Sequence, residues 1–277
     1  MLLPRILTAI VGIPLILGAI YIGSVPFLVL VWGISLLALY EVFGIFKKMG
    51  HAVHSVFGLF LASALYLVFI APGSVEPQYL LPLKSPPLLG LALTLVIVIL
   101  SLWELFHIKS RSMVRTGLTV FAILFTVWPI AHLVLLRDLA PLGKIWCYFL
   151  MTIIWTTDSF AYISGMLLGG KKLAPKISPK KTIVGFLGGL VGGFAASALW
   201  WYFSFRQENF SFQEIVILGT VLAGVFGQLS DLVESMLKRE AQIKDSANIL
   251  PGHGGILDRF DSFIFTAPLL YYYLAFR

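Results

Sequence analysis

The sequence predicts an all-α, polytopic integral membrane protein of about nine transmembrane helices with its N-terminus in the cytoplasm. Three observations carry this expectation. The 277 residues are 59% hydrophobic with a mean hydropathy of +0.94, against about 45 to 50% apolar for a soluble domain. Apolar runs close to the roughly 20 residues needed to cross a bilayer recur along the chain. Fifteen of the 20 lysines and arginines fall on one side of the resulting topology, the asymmetry that assigns that side to the cytoplasm.

The spans are expected, in order, at Arg5–Ile22, Phe27–Phe46, Ser55–Ile70, Leu88–Phe106, Val114–Leu136, Ile145–Leu168, Thr182–Phe205, Glu214–Leu237 and Ile256–Phe276. Arg5 ahead of an apolar run has the look of a signal peptide, but more spans follow at once and no small-x-small cleavage site stands out. The first run therefore reads as an uncleaved helix. Pro175 and Pro179 forbid continuous helix between the sixth and seventh spans. Gly185, Gly188, Gly189, Gly192 and Gly193 on the seventh let neighbouring helices approach closely. Cys147 stands alone in an apolar run, which excludes an intrachain disulfide framework and a thiolate metal site. One membrane domain is expected over 1–277, with N-terminal helices in 1–140 and the reactive loops in 141–277. The net charge of +7 forms a cytoplasmic collar suited to anionic headgroups or phosphates.

Charge is concentrated between Ser230 and Phe263, in a chain only 12% charged. Ionised groups at membrane depth cost several kcal/mol unless paired, solvated or metal-bound, so these residues should line a polar cavity. Asp231, Glu234, Ser235 and Lys238 are spaced i, i+3, i+4 and i+7, one face of a helix. Asp258 and Asp261 share a face at the start of the last span. Asp231, Asp258 and Asp261 are the expected ligands of a hard divalent cation, Mg²⁺ above all, with a second cation left open. Between them, Gly252, Gly254 and Gly255 precede a helix N-terminus, whose free N–H groups suit a phosphate; His253 is a candidate contact there. Lys238, Arg239 and Lys244 are candidates to neutralise phosphate charge. Upstream, Asp158 faces the same way as Tyr162 and Gly165, and Ser178, Lys180, Lys181 and Thr182 form a basic, hydroxyl-bearing turn suited to phosphate. Glu41 and Glu104 read as structural acids that pair with nearby basic residues.

Taken together, Ser235, Lys238, Arg239, Lys244, Asp245, Pro251, Gly252, His253, Gly254, Gly255, Asp258, Arg259 and Asp261 match the pattern S-x-x-K-R-x4-K-D-x5-P-G-H-G-G-x-x-D-R-x-D. The sequence here resembles the CDP-diacylglycerol synthase, or phosphatidate cytidylyltransferase, family. Asp158, Ala161, Tyr162, Gly165 and the Ser178–Thr182 run extend the likeness, which covers the C-terminal half in motifs and the N-terminal half in hydropathy alone. Val184 departs from the Glu or Gln usual in the family two residues after that Thr, so no polar role is assigned there.

The resemblance implies Mg²⁺-dependent condensation of CTP with phosphatidic acid to CDP-diacylglycerol and pyrophosphate, at the inner plasma membrane with the site facing the cytoplasm. It implies catalytic roles for Asp231, Asp258, Asp261, Lys238 and Lys244. Substrate contacts are implied for Asp158, Ser178, Lys180, Lys181, Thr182, Ser235, Arg239, Asp245, Gly252, His253, Gly254, Gly255 and Arg259. CTP, phosphatidic acid and membrane lipids are the expected partners; a nucleic acid is not, and a homodimer stays open. A CTP-dependent polyprenol or lipid kinase and a cation-coupled transporter remain competing readings. No internal repeat supports the transporter, and the D-x-x-D-G-x-x-A-R pattern of CDP-alcohol phosphotransferases is absent.

Overall fold

A computed structural model describes residues 3–69, 86–107, 112–252 and 254–277. Counting as one rod each helix that runs through a π-helical turn, nine helices are found among the described residues. They are α1 (Leu3–Ile22), α2 (Ser24–Lys48), α3 (Ser55–Leu65), α4 (Pro86–Phe106), α5 (Ser112–Arg137), α6 (Gly143–Leu168), α7 (Ile183–Phe205), α8 (Phe212–Glu240) and α9 (Leu257–Phe276). Four of them, α2 from Val25, α5, α7 and α8, are long and apolar enough to cross a membrane. This is a helical membrane protein.

Between α6 and α7 the chain departs from helix. Lys172–Ala174 (β1) and Ser178–Thr182 (β2) pair as an antiparallel hairpin, so the expected basic turn is mostly strand. The prolines bar helix in this segment, and its backbone groups satisfy one another across the hairpin instead. The bond from Ile183 N–H to Lys171 O, at 2.9 Å, closes it where α7 begins. Thr182 then caps α7, its Oγ1 accepting from Gly185 N–H at 3.0 Å.

The chain divides into two compact units: residues 1–135 with 246–257, and 136–245 with 258–277. In the first, α2 packs on α1, α3 and α5. Its Leu39, Val42, Phe43 and Phe46 form a fully buried i, i+3, i+4, i+7 stripe. Here the sequence-expected structural acid Glu104, on α4, is buried against Arg115 and against His54 Nε2 at 2.7 Å.

In the second unit α7 is the central rod, lying along α6 and α8. A Cβ on Gly192 would come within 2.7 Å of Phe160 Cβ, one on Gly185 within 2.8 Å of Ala161 O, and one on Gly188 would strike Ser164 Oγ. These three glycines lie on the α6 side, Gly189 meets Gln228 of α8, and Gly193 sits between Thr157 of α6 and Thr220 of α8. The contact with α6 needs bare backbone, as the spacing of small residues predicts. Helix α8 opens with a capping box between Ser211 and Glu214. It passes through a π-helical stretch at Thr220–Gly227 and resumes α geometry at Gln228–Glu240, the segment that carries the charges. Local π geometry of this kind often accompanies functional sites.

Candidate active site

The last turns of α8 set out one reactive face. Ser235 Oγ donates to Asp231 Oδ1 at 3.2 Å, and Lys238 Nζ lies 2.6 Å from Glu234 Oε2. Helix α9 meets this face through its first turns. Lys238 Nζ donates to Asp258 Oδ1 at 2.5 Å, and Ser230 Oγ donates to the Asp261 carbonyl at 2.5 Å. That second bond sets the depth of α9 beside α8, and Asp261 Oδ1 is steadied by Ser262 N–H at 2.6 Å. Carboxylate oxygens of Asp231, Glu234 and Asp261 then lie within 4.8 Å of one another.

This gathering differs from the expected ligand set in one member. Asp258 is engaged by Lys238, and Glu234 stands in the cluster with Asp231 and Asp261. The signal was present in the sequence, since Glu234 follows Asp231 by three residues on the same helix face. What spacing left undetermined was which acid of α9 would turn toward it.

Like charges this close repel strongly, and burial strengthens the repulsion. Glu234 is fully buried, and among the described residues its Oε1 has no hydrogen-bond partner. Lys181 Nζ reaches Asp231 Oδ2 at 2.6 Å, and Lys238 Nζ reaches Glu234 Oε2 at the same distance. Three converging carboxylates with an orphaned buried oxygen suit a hard divalent cation such as Mg²⁺.

Two cavities share Asp158 and Asp231 as wall residues. The polar one, about 410 Å³, is lined by the acids Asp158, Asp231, Asp245, Asp258 and Asp261 and by Ser235, Lys238, Arg239, Lys244 and Arg259. The apolar one, about 390 Å³, is lined by Ala161, Tyr162, Gly165, Met166, Leu173 and Phe186, with Lys180, Lys181, Thr182 and Gln228 at its polar side.

Other expected contacts turn out to carry structure as well. Arg239 spends two donors on backbone, Nε on Ile177 O and Nη1 on Ile243 O, both at 2.9 Å, stapling the hairpin and the exit of α8 together. Ser178 pairs with Ala174 in the hairpin. Thr182 caps α7 while lining the apolar cavity. Gly252 and Gly254 take left-handed φ of 77° and 82°. A Leu250 N–H to Gly254 O bond of 2.9 Å closes their turn. His253 lies outside the described residues. Gly252, Gly254 and Gly255 belong to the first unit and the carboxylate cluster to the second. The backbone N–H groups of Ile256 and Leu257, where a phosphate was expected, are taken by the Glu41 carboxylate at 2.8 and 2.9 Å.

The match to known proteins extends over nearly the whole chain. A sequence profile described as "Cytidylyltransferase family" covers residues 3–277. The chain belongs to the cytidylyltransferase family. A phosphatidate cytidylyltransferase of Bacillus subtilis (strain 168) is 34% identical over 276 residues, 98% of this chain and 97% of that protein. Its namesake in Staphylococcus haemolyticus (strain JCSC1435) is 51% identical over 118 residues, 43% of this chain and 44% of that one. That of Rickettsia bellii (strain RML369-C) is 51% identical over 124 residues, 43% of this chain and 53% of that one.

Proposed function

We propose that this chain transfers the cytidylyl group of CTP to phosphatidic acid, giving CDP-diacylglycerol and pyrophosphate. The observation that carries the reading is the shared wall: a polar cavity rich in lysine, arginine and carboxylate meets an apolar one across Asp158 and Asp231. A water-soluble anion and a lipid can meet there.

The lipid phosphate is already ionised at neutral pH, so an oxygen lone pair attacks the α-phosphorus of CTP without a strong base. The new P–O bond forms as the bond from the α-phosphorus to the bridging oxygen breaks, and pyrophosphate leaves with that electron pair. Repulsion between two anions is the barrier, and fixed opposite charge lowers it. Lys238, Lys244 and Arg259 on the polar wall bind the triphosphate and meet the charge of the departing pyrophosphate. Lys180 and Lys181 stand at the polar side of the apolar cavity, where they hold the lipid phosphate while Tyr162, Met166 and Phe186 contact its glycerol and acyl portion. Asp231, Glu234 and Asp261 would hold Mg²⁺, which when bound supplies positive charge to the phosphate oxygens.

The topology proposed with this chemistry is multi-pass in the plasma membrane, nine spans with the N-terminus and the site on the cytoplasmic side. The lysine and arginine asymmetry supports it, as do the 26 residues of α6 and 20 of α9. The decisive assay incubates purified protein with α-labelled CTP, phosphatidic acid in mixed micelles and Mg²⁺. Label in the lipid phase with pyrophosphate release is expected. Label released as free CDP would replace this reading with a lipid kinase.

A further inference from the structure

Glu41, on α2, is 2% exposed, and among the described residues it forms no ion pair. The sequence suggested a basic partner; the structure supplies three neutral donors. Its Oε1 accepts from Ile256 N–H at 2.8 Å, and its Oε2 accepts from Leu257 N–H at 2.9 Å and from Ser246 Oγ at 2.6 Å. A carboxylate is well placed there, because the N-terminus of a helix presents unpaired N–H groups and the positive end of its dipole. Gly255 completes the arrangement. A side chain at that position would collide with Ser246 Oγ and Glu41 Oε2, so glycine is what lets the loop close on the carboxylate.

Leu257 is the first residue of α9, Asp258 the second and Asp261 the fifth. The helix end gripped by Glu41 is therefore the turn that carries two acids of the polar cavity. We infer that Glu41 is a positioning residue for cytidylyl transfer: by capping α9 it keeps the first turns of that helix, which carry Asp258 and Asp261, in helical conformation. This rests on the proposed reading of the cavity as the reaction centre. Without the cap the first turn can fray, and a shift on the order of 1 Å in a reacting group costs up to about a hundredfold in rate.

The test uses the full chain with Glu41→Gln, Ser246→Ala and Gly255→Ala. Glutamine offers an amide nitrogen where a second acceptor is needed, so Glu41→Gln should lower kcat per folded enzyme by about tenfold to a hundredfold. It should also raise the Mg²⁺ concentration for half-maximal rate and speed amide hydrogen exchange across residues 256–262. Gly255→Ala should reproduce this from the other side of the junction. Ser246→Ala removes one donor of three and should lower kcat only about threefold, which keeps the test alive if the stronger variants fold poorly. A purely structural brace would lower folded yield alone. If kcat per folded enzyme and Mg²⁺ dependence both stay at wild-type values, the positioning role is wrong. If wild type transfers no label at all, the functional reading falls on its own. Unchanged exchange at 256–262 in Glu41→Gln would then still overturn the cap.

Discussion

Two glutamates, one in each unit, are equally hidden from solvent and differently treated. Glu41 is 2% exposed and its two oxygens receive three hydrogen bonds from neutral donors. Glu234 is 0% exposed; it faces Lys238, lies within 4.8 Å of two further carboxylates, and has an oxygen with no partner among the described residues. The first environment is complete without a ligand. The second would be completed by the cation proposed for it, because an unsatisfied buried charge surrounded by like charge is strongly unfavourable. Burial alone therefore says little about a membrane acid, and the inventory of its donors says much more.

The sharpest way to break the contrast is to neutralise the cluster. Asp231→Asn or Asp261→Asn should lower the rate of lipid labelling by about a thousandfold, the scale of losing a group that organises developing charge. Chelation with EDTA should do the same and be reversed by excess Mg²⁺. Wild-type labelling in EDTA would remove the metal from the account.

Glu104 provides the structural control. It is 1% exposed and held by Arg115 and His54, so Glu104→Gln should cost about 3 kcal/mol of stability by leaving those partners without their anion. The rate per folded enzyme should stay at wild type. Thermal unfolding in detergent measures the first and active-fraction-corrected kinetics the second. Glu234→Gln should behave in the opposite way, with a loss of about a hundredfold in rate and a melting temperature equal to or above that of wild type. A Glu234→Gln protein that melts much earlier would place Glu234 with the structural acids. The smallest effect is expected from Thr182→Val, which removes the α7 cap and should cost about 1 kcal/mol, read as a modest fall in melting temperature.

Much of the molecule was legible in advance because it depends on local chemistry. Apolar runs of membrane length read as helices, and the described helices begin and end near the expected positions. The i, i+3, i+4, i+7 spacing of Asp231, Glu234, Ser235 and Lys238 is enough to place them on one helix face. The glycines of α7 announced close packing, and the structure brings Ala161, Phe160 and Gln228 against them. The Ser178–Thr182 segment was less legible. Its prolines excluded helix without saying that the chain would fold back on Lys172–Ala174 as a strand.

By itself the sequence determined the helical class, the membrane character and the set of acids and bases from which a site could be drawn, since each follows from periodicity or composition within a few turns of chain. Only the tertiary structure decided which of those groups meet. Spacing along α9 could not say that Asp258 would turn to Lys238 and Asp261 to Glu234, because that depends on the depth and rotation of one helix against another, here tied by Ser230 to the Asp261 carbonyl. Nor could it bring Glu41 to residues 256 and 257, more than two hundred positions away. A helix end accepts any well-placed anion, and packing chose one from the protein itself.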